Sequence, residues 1–518
     1  MDMDSENGCI KKQGGFYMLG HCTTQKEYLH FALSELQGLA QTRPEQIREY
    51  KKAIIKMLIL NLDPIIPIIA PLYSKVGSPA KMQVETFRSL VLMKHLGIPL
   101  NSWVEKLTNN PVLRVIAGFT LENMPKTTSY YDFMDRVVPM DEKPAMKTFT
   151  SKPRKKLKKG EKLPPKNPGI VGKLVEKVIT DEERFMGHLA RRPERYLQKI
   201  FARVAVDASV NMGLIDESVP ASGDGTCLET GASSYGVKVC SCIKKGIYKC
   251  NCDRKFSDPN ATWGWDSHNE RYYYGYTGYF ISTYSEPFKT DLPLYLRLVS
   301  ASRHDSVSAI FALAEFRELY PNLHINTFIS DSASDNYPTY KLLDHWNMNA
   351  VIALNNRNTG NTKYPSPLRI DKDGVPICPA GYPMTKGGPC PGRRRIKWCC
   401  PRKGFTINPF PACASCSKSP YGRVFYTKFD WDLRLFTRIV RGSLSWKHLM
   451  NKRTASERVN DRILQDYGVE DGHSRGKKRI SFDVTLAAIN VHLDAQFKVL
   501  SLSNFFHSDH LLFLPFAA

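Results

Sequence analysis

Apolar positions recur at helical spacing from Glu27 to Gly97. Phe31, Ala32 and Leu33 with Leu36 and Leu39 form one stripe, and Ala53, Ile54 and Ile55 through Leu62 form a second. Val84, Phe87, Leu90, Val91 and Leu92 form a third, which closes at His95-Leu96-Gly97. Residues three and four apart share a helix face, so each stripe predicts a helix with one buried side, and glycine is a common stop. Shorter helices are expected around Trp103, Val112, Leu113 and Val115, up to Met124. A further helical stretch is predicted over Ile179 to Ile215, with Leu197, Ile200, Phe201, Val204 and Ala208 inward.

After Ser218 the pattern shortens to strand length. Asp224 stands between Gly223 and Gly225, followed by Thr226, Leu228 and Thr230, which predicts a strand whose backbone something approaches closely. Val237–Cys242 and Tyr248–Cys252 read as two short strands of a hairpin, Tyr272–Ile281 as an aromatic strand and Leu294–Ala301 as another. A helix is expected over Ser306–Tyr320, then a strand from His324 that ends on Asp331, a helix over Tyr337–Trp346 and a strand from Ala350. Strand, helix, strand at this spacing is a parallel crossover, and in such sheets chemistry gathers at the carboxyl ends of strands. Asp331 sits at such an end, although capping the next helix is its plainer role. Residues 357–430 break the alternation with Pro, Gly, Cys, Lys and Arg. Regular structure is expected again from Asp432–Ile439, with helices over Ser445–Leu464 and Lys478–Val499.

These elements predict an α/β fold, a mixed sheet flanked by helices, with an all-helical N-terminal region and a Cys-rich insertion. The expected units are a helical N-terminal domain (1–150), a basic linker (151–178), the first part of the α/β core (179–356), the insertion (357–430) and the remainder of the core (431–518). At 518 residues the chain exceeds one ordinary core, and 42% hydrophobic content excludes wholesale disorder.

Charge narrows the function. Lys and Arg number 73 against 50 Asp and Glu, a net charge of +23, which points to a polyanionic partner, nucleic acid above all. In residues 151–166, eight of the sixteen are Lys or Arg, a composition suited to a solvated tether or a phosphate-binding arm. Residues 1–20 have no apolar run of the secretory kind, and Met57–Tyr73 is interrupted by Asp63, Pro64, Pro67 and Pro71. A cytoplasmic, reducing setting without membrane insertion is therefore expected. There, the 13 cysteines favour metal over disulfides. Cys240-x-Cys242 and Cys250-x-Cys252 would form a tetrahedral structural Zn²⁺ site. Cys378, Cys390, Cys399, Cys400, Cys413 and Cys416 would form a second within the insertion.

Phosphodiester chemistry needs carboxylates that converge from distant positions around Mg²⁺ or Mn²⁺. Asp224 and Asp331 at strand ends, with Glu457 on a helix, are the candidates, and Arg453 lies one turn before Glu457. Asp207 rivals Asp224 as the first carboxylate, but it falls within a helical pattern. The aromatic-basic stretch Trp263–Tyr279 reads chiefly as core sheet. Gly392-Arg393-Arg394-Arg395-Ile396-Lys397-Trp398 reads as a phosphate contact.

With Val84-Glu85-Thr86-Phe87-Arg88, Leu113-Arg114-Val115-Ile116-Ala117-Gly118-Phe119, Pro125–Phe133, Gly223-Asp224-Gly225-Thr226, Arg303-His304-Asp305-Ser306, Ser330-Asp331-Ser332-Ala333-Ser334-Asp335 and Arg453-Thr454-Ala455-Ser456-Glu457-Arg458, most of the chain resembles bacterial insertion-sequence transposases of the DDE type. The resemblance implies a ribonuclease H-like core, with Asp224, Asp331 and Glu457 as a Mg²⁺-binding triad and Arg453 as the arginine of the glutamate signature. It also implies DNA binding by the helical domain (1–150), catalysis by the α/β core, double-stranded DNA as partner, a homodimer that synapses two element ends, and a nucleoid-associated bacterial setting. Where that signature carries Tyr and Lys, this chain has Met450 and Leu464, and Gly275-Tyr276-Thr277 replaces Gly-Tyr-Lys. The alternatives are a metal-dependent DNA nuclease of the same fold and a non-catalytic, zinc-stabilised DNA-binding protein.

Overall fold

The β-branched and aromatic runs after Ser218 assemble into one six-stranded mixed sheet. The structure, a computed structural model, describes residues 17–149, 169–267, 269–355, 364–402, 416–417, 419, 421–470 and 474–502. The sheet strands are β1 (Ser218–Glu229), β2 (Thr262–Asp266), β3 (Arg271–Ser285), β4 (Thr290–Ser300), β5 (His324–Ser330) and β6 (Asn349–Ile352). β5 lies between β1 and β6 and runs parallel to both, while β3 runs antiparallel to β1 on its other side. β4 pairs antiparallel with β3, and beyond Ser300, where β4 stops, β2 takes its place along β3.

Two helices make the connections that parallel strands require: Asp305–Leu319 between β4 and β5, and Tyr337–His345 between β5 and β6. Both lie within a residue or two of the spans that periodicity predicts. Asp224 does not end its strand. It sits in the middle of β1, a twelve-residue strand, because β3 keeps pairing with β1 after β5 has stopped. The side of β1 that β5 vacates is therefore open beside Asp224.

The N-terminal helices include Gln25–Thr42, Lys51–Ile59, Gln83–His95 and Thr127–Val137. They share one continuous apolar core with the sheet, running from Tyr28 to Ala495. The joint is the Lys477–Leu502 helix, whose Val484, Leu486, Ile489, Val491 and Leu493 are buried. A helix apolar on most sides must be covered on most sides, here by β4 and by Gln83–His95. Asn490 and Asp494 on this helix are paired across the joint. Asn490 Nδ2 donates to the Val91 carbonyl (3.0 Å), and the buried Lys56 ammonium donates to Asp494 (3.1 Å) and Tyr467 Oη (3.2 Å). Burial pulls Lys56 down to about 8. Helices on both sides of residues 150–168 contribute to this core, and the sheet begins only at Ser218. Among the described residues, no single helix is long and apolar enough to cross a membrane.

Several expectations need correction. The predicted Ser445–Leu464 helix is broken at Lys452–Arg453 into Leu444–Asn451 and Thr454–Asp461, with a π-helical turn at Arg462–Asp466. Asp432–Ile439 is irregular, and Leu435, Phe436 and Val440 belong to the insertion, where they pack with Leu368, Met384, Ile396 and Trp398. That apolar core, under the antiparallel sheet Thr385–Cys390, Arg395–Cys399 and Val424–Lys428, holds the insertion together. Its cysteines form no ligand cluster among the described residues, and Cys413 lies outside them. The arginine run is also partly engaged within the molecule. Arg394 bridges Asp344 (3.0 Å) and Asp430 (2.9 Å), and Arg395 lies over the Tyr426 ring.

Candidate functional site

Parallel register decides which carboxylates meet. Ile329 of β5 pairs with Ser222 of β1, and each lies two residues before an aspartate, Asp331 and Asp224. The two aspartates consequently open on the same cleft, of about 1050 Å³, together with Glu457. Glu457 arrives on Thr454–Asp461, a helix that crosses β1, β3 and β4. Arg458 fastens this helix to the start of β4 through two hydrogen bonds to Asp291, of 2.6 and 2.8 Å. Asp207 is elsewhere, on the Asp207–Asn211 helix, where it is paired with Arg203 at 2.6 Å.

Gly223 and Gly225 mark close approaches to the β1 backbone. A Cβ on Gly223 would collide with Tyr279 Oη and the Phe328 ring, and one on Gly225 would collide with the Asp305 carboxylate. Asp305 is a further acidic residue of the cleft, beside Asp224, and was not singled out as a ligand from the sequence. β4 runs parallel to β1, so the turn after it opens at the same edge, and Asp305 starts the helix that follows. The Arg303-His304-Asp305-Ser306 stretch, directly after a strand, was the available signal. Asn460 is the second such residue: its Nδ2 donates to Asp224 Oδ2 at 3.3 Å.

The site carries uncompensated negative charge. Burial, then the charges of Asp305 and Asp331, push Asp224 from 3.8 up to about 7. Burial also raises Asp305, with Asp331 adding to the shift and His304 opposing it. The Tyr279 hydroxyl, buried beside these carboxylates, has no hydrogen-bond partner among the described groups, and its ionisation is strongly suppressed. Asp331 keeps a capping role as well, since its Oδ1 accepts from Ala333 N at 3.0 Å. Arg453 pairs with Glu457 at 2.7 Å and does not line the cleft.

The cysteine quartet is drawn together more tightly. Cys240, Cys242, Cys250 and Cys252 place their sulfur atoms within 4.8 Å of one another. Cys240–Cys250 and Cys242–Cys252 are each 3.6 Å apart. A tetrahedral site with Zn–S bonds of about 2.3 Å has sulfur–sulfur edges of about 3.8 Å, so this quartet could hold a metal such as zinc. The expected hairpin is not what builds it. Only Val237–Lys238 is strand, and a 3₁₀ turn at Ile243–Lys245 folds the loop back to bring the two pairs together. The Cys242 backbone N–H and the Cys250 thiol pull Cys240 down to about 7, while hydrogen bonding with Cys252 and Cys240 raises Cys242. Among the described residues no other group of three or more ligands is this compact, and Asp224, Asp305, Asp331 and Glu457 are spread more widely. No known family model matches the sequence, and no curated protein matches it.

Proposed function

We propose that the chain is a DNA transposase of the DDE type that cuts at the ends of its element and joins the freed 3′-hydroxyls to target DNA. The observation that carries this reading is the meeting of Asp224, Asp331 and Glu457 in one cleft, from adjacent parallel strands and a helix reached only after the insertion. The sheet, with antiparallel strands on one side of β1 and parallel strands on the other, supports a ribonuclease H-like core. A net charge of +23 supplies the attraction to DNA.

The cleft fits Mg²⁺ or Mn²⁺ by its chemistry: hard oxygen donors, with burial and then the charges of Asp305 and Asp331 already raising Asp224. When bound, such ions activate the attacking oxygen and stabilise the leaving one. Asp224, Asp331 and Glu457 would supply the oxygens, after their side chains turn further into the cleft. Asp305 adds negative charge against the first of them. Asn460 orients Asp224 by its amide hydrogen bond, and Arg453 holds Glu457 through their ion pair. Trp265 and Arg271 line the cleft where a DNA strand would pass. Processing two ends in one complex calls for a dimer.

A metal-dependent nuclease is the second reading. It is favoured by Met450 and Leu464 standing where the resembling signature has Tyr and Lys. The test is cleavage of DNA carrying the sequences that flank the gene, in Mg²⁺. The parent should cut, and Asp331→Asn and Glu457→Gln should cut at least about 10²-fold more slowly with DNA binding retained, since each removes a metal ligand. Equal cutting by these variants refutes the assignment, and cutting without any joined product favours the nuclease.

A further inference from the structure

Residues 232–255 form a knob whose chemistry the cleft does not use. From Gly231 to Cys252 the sequence contains no Asp or Glu, but it contains Lys238, Lys244, Lys245 and Lys249. Four thiolates around one Zn²⁺ leave a net charge of −2 and Asp253 adds one more negative charge, which these lysines with Arg254 and Lys255 outweigh to leave +3. The knob also exposes apolar side chains. Tyr248 is 72% exposed, and Ile243 and Ile247 are about half exposed. Exposed apolar groups next to lysines, with a single acidic residue at the base, are poorly suited to a protein interface, where lysine is depleted. They suit a polyanion that also offers flat apolar faces, which describes a nucleic-acid strand.

The knob is fixed to the cleft wall. Asp258, 1% exposed, accepts from Thr230 Oγ1 (2.8 Å), Tyr276 Oη (2.6 Å) and Gly476 N (3.0 Å). Thr230 itself lines the cleft. On the far side, Arg254–Phe256 pairs with Ala145–Lys147 and Val237–Lys238 in a small antiparallel sheet. Lys238 Nζ donates to the Tyr248 carbonyl at 2.6 Å, which braces the exposed tip.

We infer that this metal-ordered knob is a DNA-gripping element. Lys244, Lys245 and Lys249 contact backbone phosphates, and Tyr248 stacks on an unpaired base of a strand leading into the cleft. The inference rests on the DNA-processing reading of the cleft for the identity of the strand. The metal has a structural part here: it holds the Ile243–Lys249 tip in place.

The test uses the whole chain loaded with zinc and a labelled oligonucleotide, single-stranded and duplex, titrated at several salt concentrations. The triple variant Lys244→Ala, Lys245→Ala, Lys249→Ala should keep the parent's zinc content, so the knob stays folded. Its affinity should fall at least about 10-fold, and the slope of log K against log salt should flatten by roughly 2–3, the loss of three phosphate contacts. Tyr248→Ala should weaken single-strand binding by about 5-fold or more and duplex binding less. Unchanged affinities and slopes in zinc-loaded variants overturn the inference, as does a parent that binds neither oligonucleotide. The two readings fail separately. If Asp331→Asn cuts like the parent while the knob variants lose binding, the cleft assignment falls and the knob stands. If Asp331→Asn is inactive while the knob variants bind normally, the knob falls and the cleft stands.

Discussion

Replacing Asp224 by Asn removes a charge that the folded cleft resists. In the folded chain, burial and the neighbouring Asp305 and Asp331 push this carboxyl from 3.8 up to about 7. A raised carboxyl binds its proton more tightly folded than unfolded. The associated stability is fully present below pH 3.8 and is lost as pH rises through 7. At pH 8 the ionised Asp224 therefore costs folding about three pK units, roughly 4 kcal/mol at about 1.36 kcal/mol each. The amide of the Asp224→Asn variant carries no such cost and keeps the shape. For a chain of 518 residues the unfolding entropy is about 1.1 kcal/mol/K, so the variant should melt about 4 °C higher at pH 8. The gain should shrink through pH 6 and vanish below pH 4. Scanning calorimetry across this range reads it directly. Mn²⁺ should raise the Tm of the parent at pH 8 by neutralising the cluster, and should raise the variant's less. A variant that melts at or below the parent's Tm at pH 8, with an unchanged pH profile, would show that Asp224 is not held among negative charges.

Other consequences are equally specific. Gly223→Ala should destabilise the chain by about 1–3 kcal/mol, because its methyl meets the Tyr279 hydroxyl and the Phe328 ring inside the core. Gly225→Ala should cost less stability but lower DNA cutting, because the Asp305 side chain can swing aside and the cleft is then reshaped. Metal analysis of the purified chain should find one zinc, and Cys242→Ser should lose it; a metal-free parent with the same fold would remove the quartet as a site. Arg434→Met strands the buried Asp335, whose carboxylate Arg434 meets at 2.7 Å, and should cost about 3–5 kcal/mol in thermal or denaturant melts. Adding Asp335→Asn should recover part of that loss, and a strictly additive double variant would mean the two residues are not coupled.

The elements of the sheet were legible because each strand and helix writes its period locally. The choice of Asp224 over Asp207 followed from the same source, since Asp207 lies in a helical pattern and is found in a helix. The glycines beside Asp224 announced a close approach, but not that Tyr279 and Asp305 make it. Asp305 was harder to see because its place depends on β4 running parallel to β1 two strands away, a matter of tertiary register. The helix break at Lys452–Arg453 and the reach of the insertion core to Val440 likewise depend on packing between distant segments. So does the shared core of the N-terminal helices, tied in part by Lys56 to Asp494, residues far apart in the chain. Asp335 was read as part of a motif beside Asp331. It is instead the buried partner of Arg434 and Tyr340, which joins the insertion to the sheet.

The most direct measurement is strand joining from a pre-cut end, which bypasses recognition of the cleavage site. A DNA end with a free 3′-hydroxyl, a circular target, Mn²⁺ and the parent chain should yield a covalently joined product on a denaturing gel. Asp224→Asn, Asp331→Asn and Glu457→Gln should each yield none, while Asp207→Asn joins like the parent. Joining that survives loss of Glu457 or Asp331, or that depends on Asp207, would contradict the assignment of this cleft.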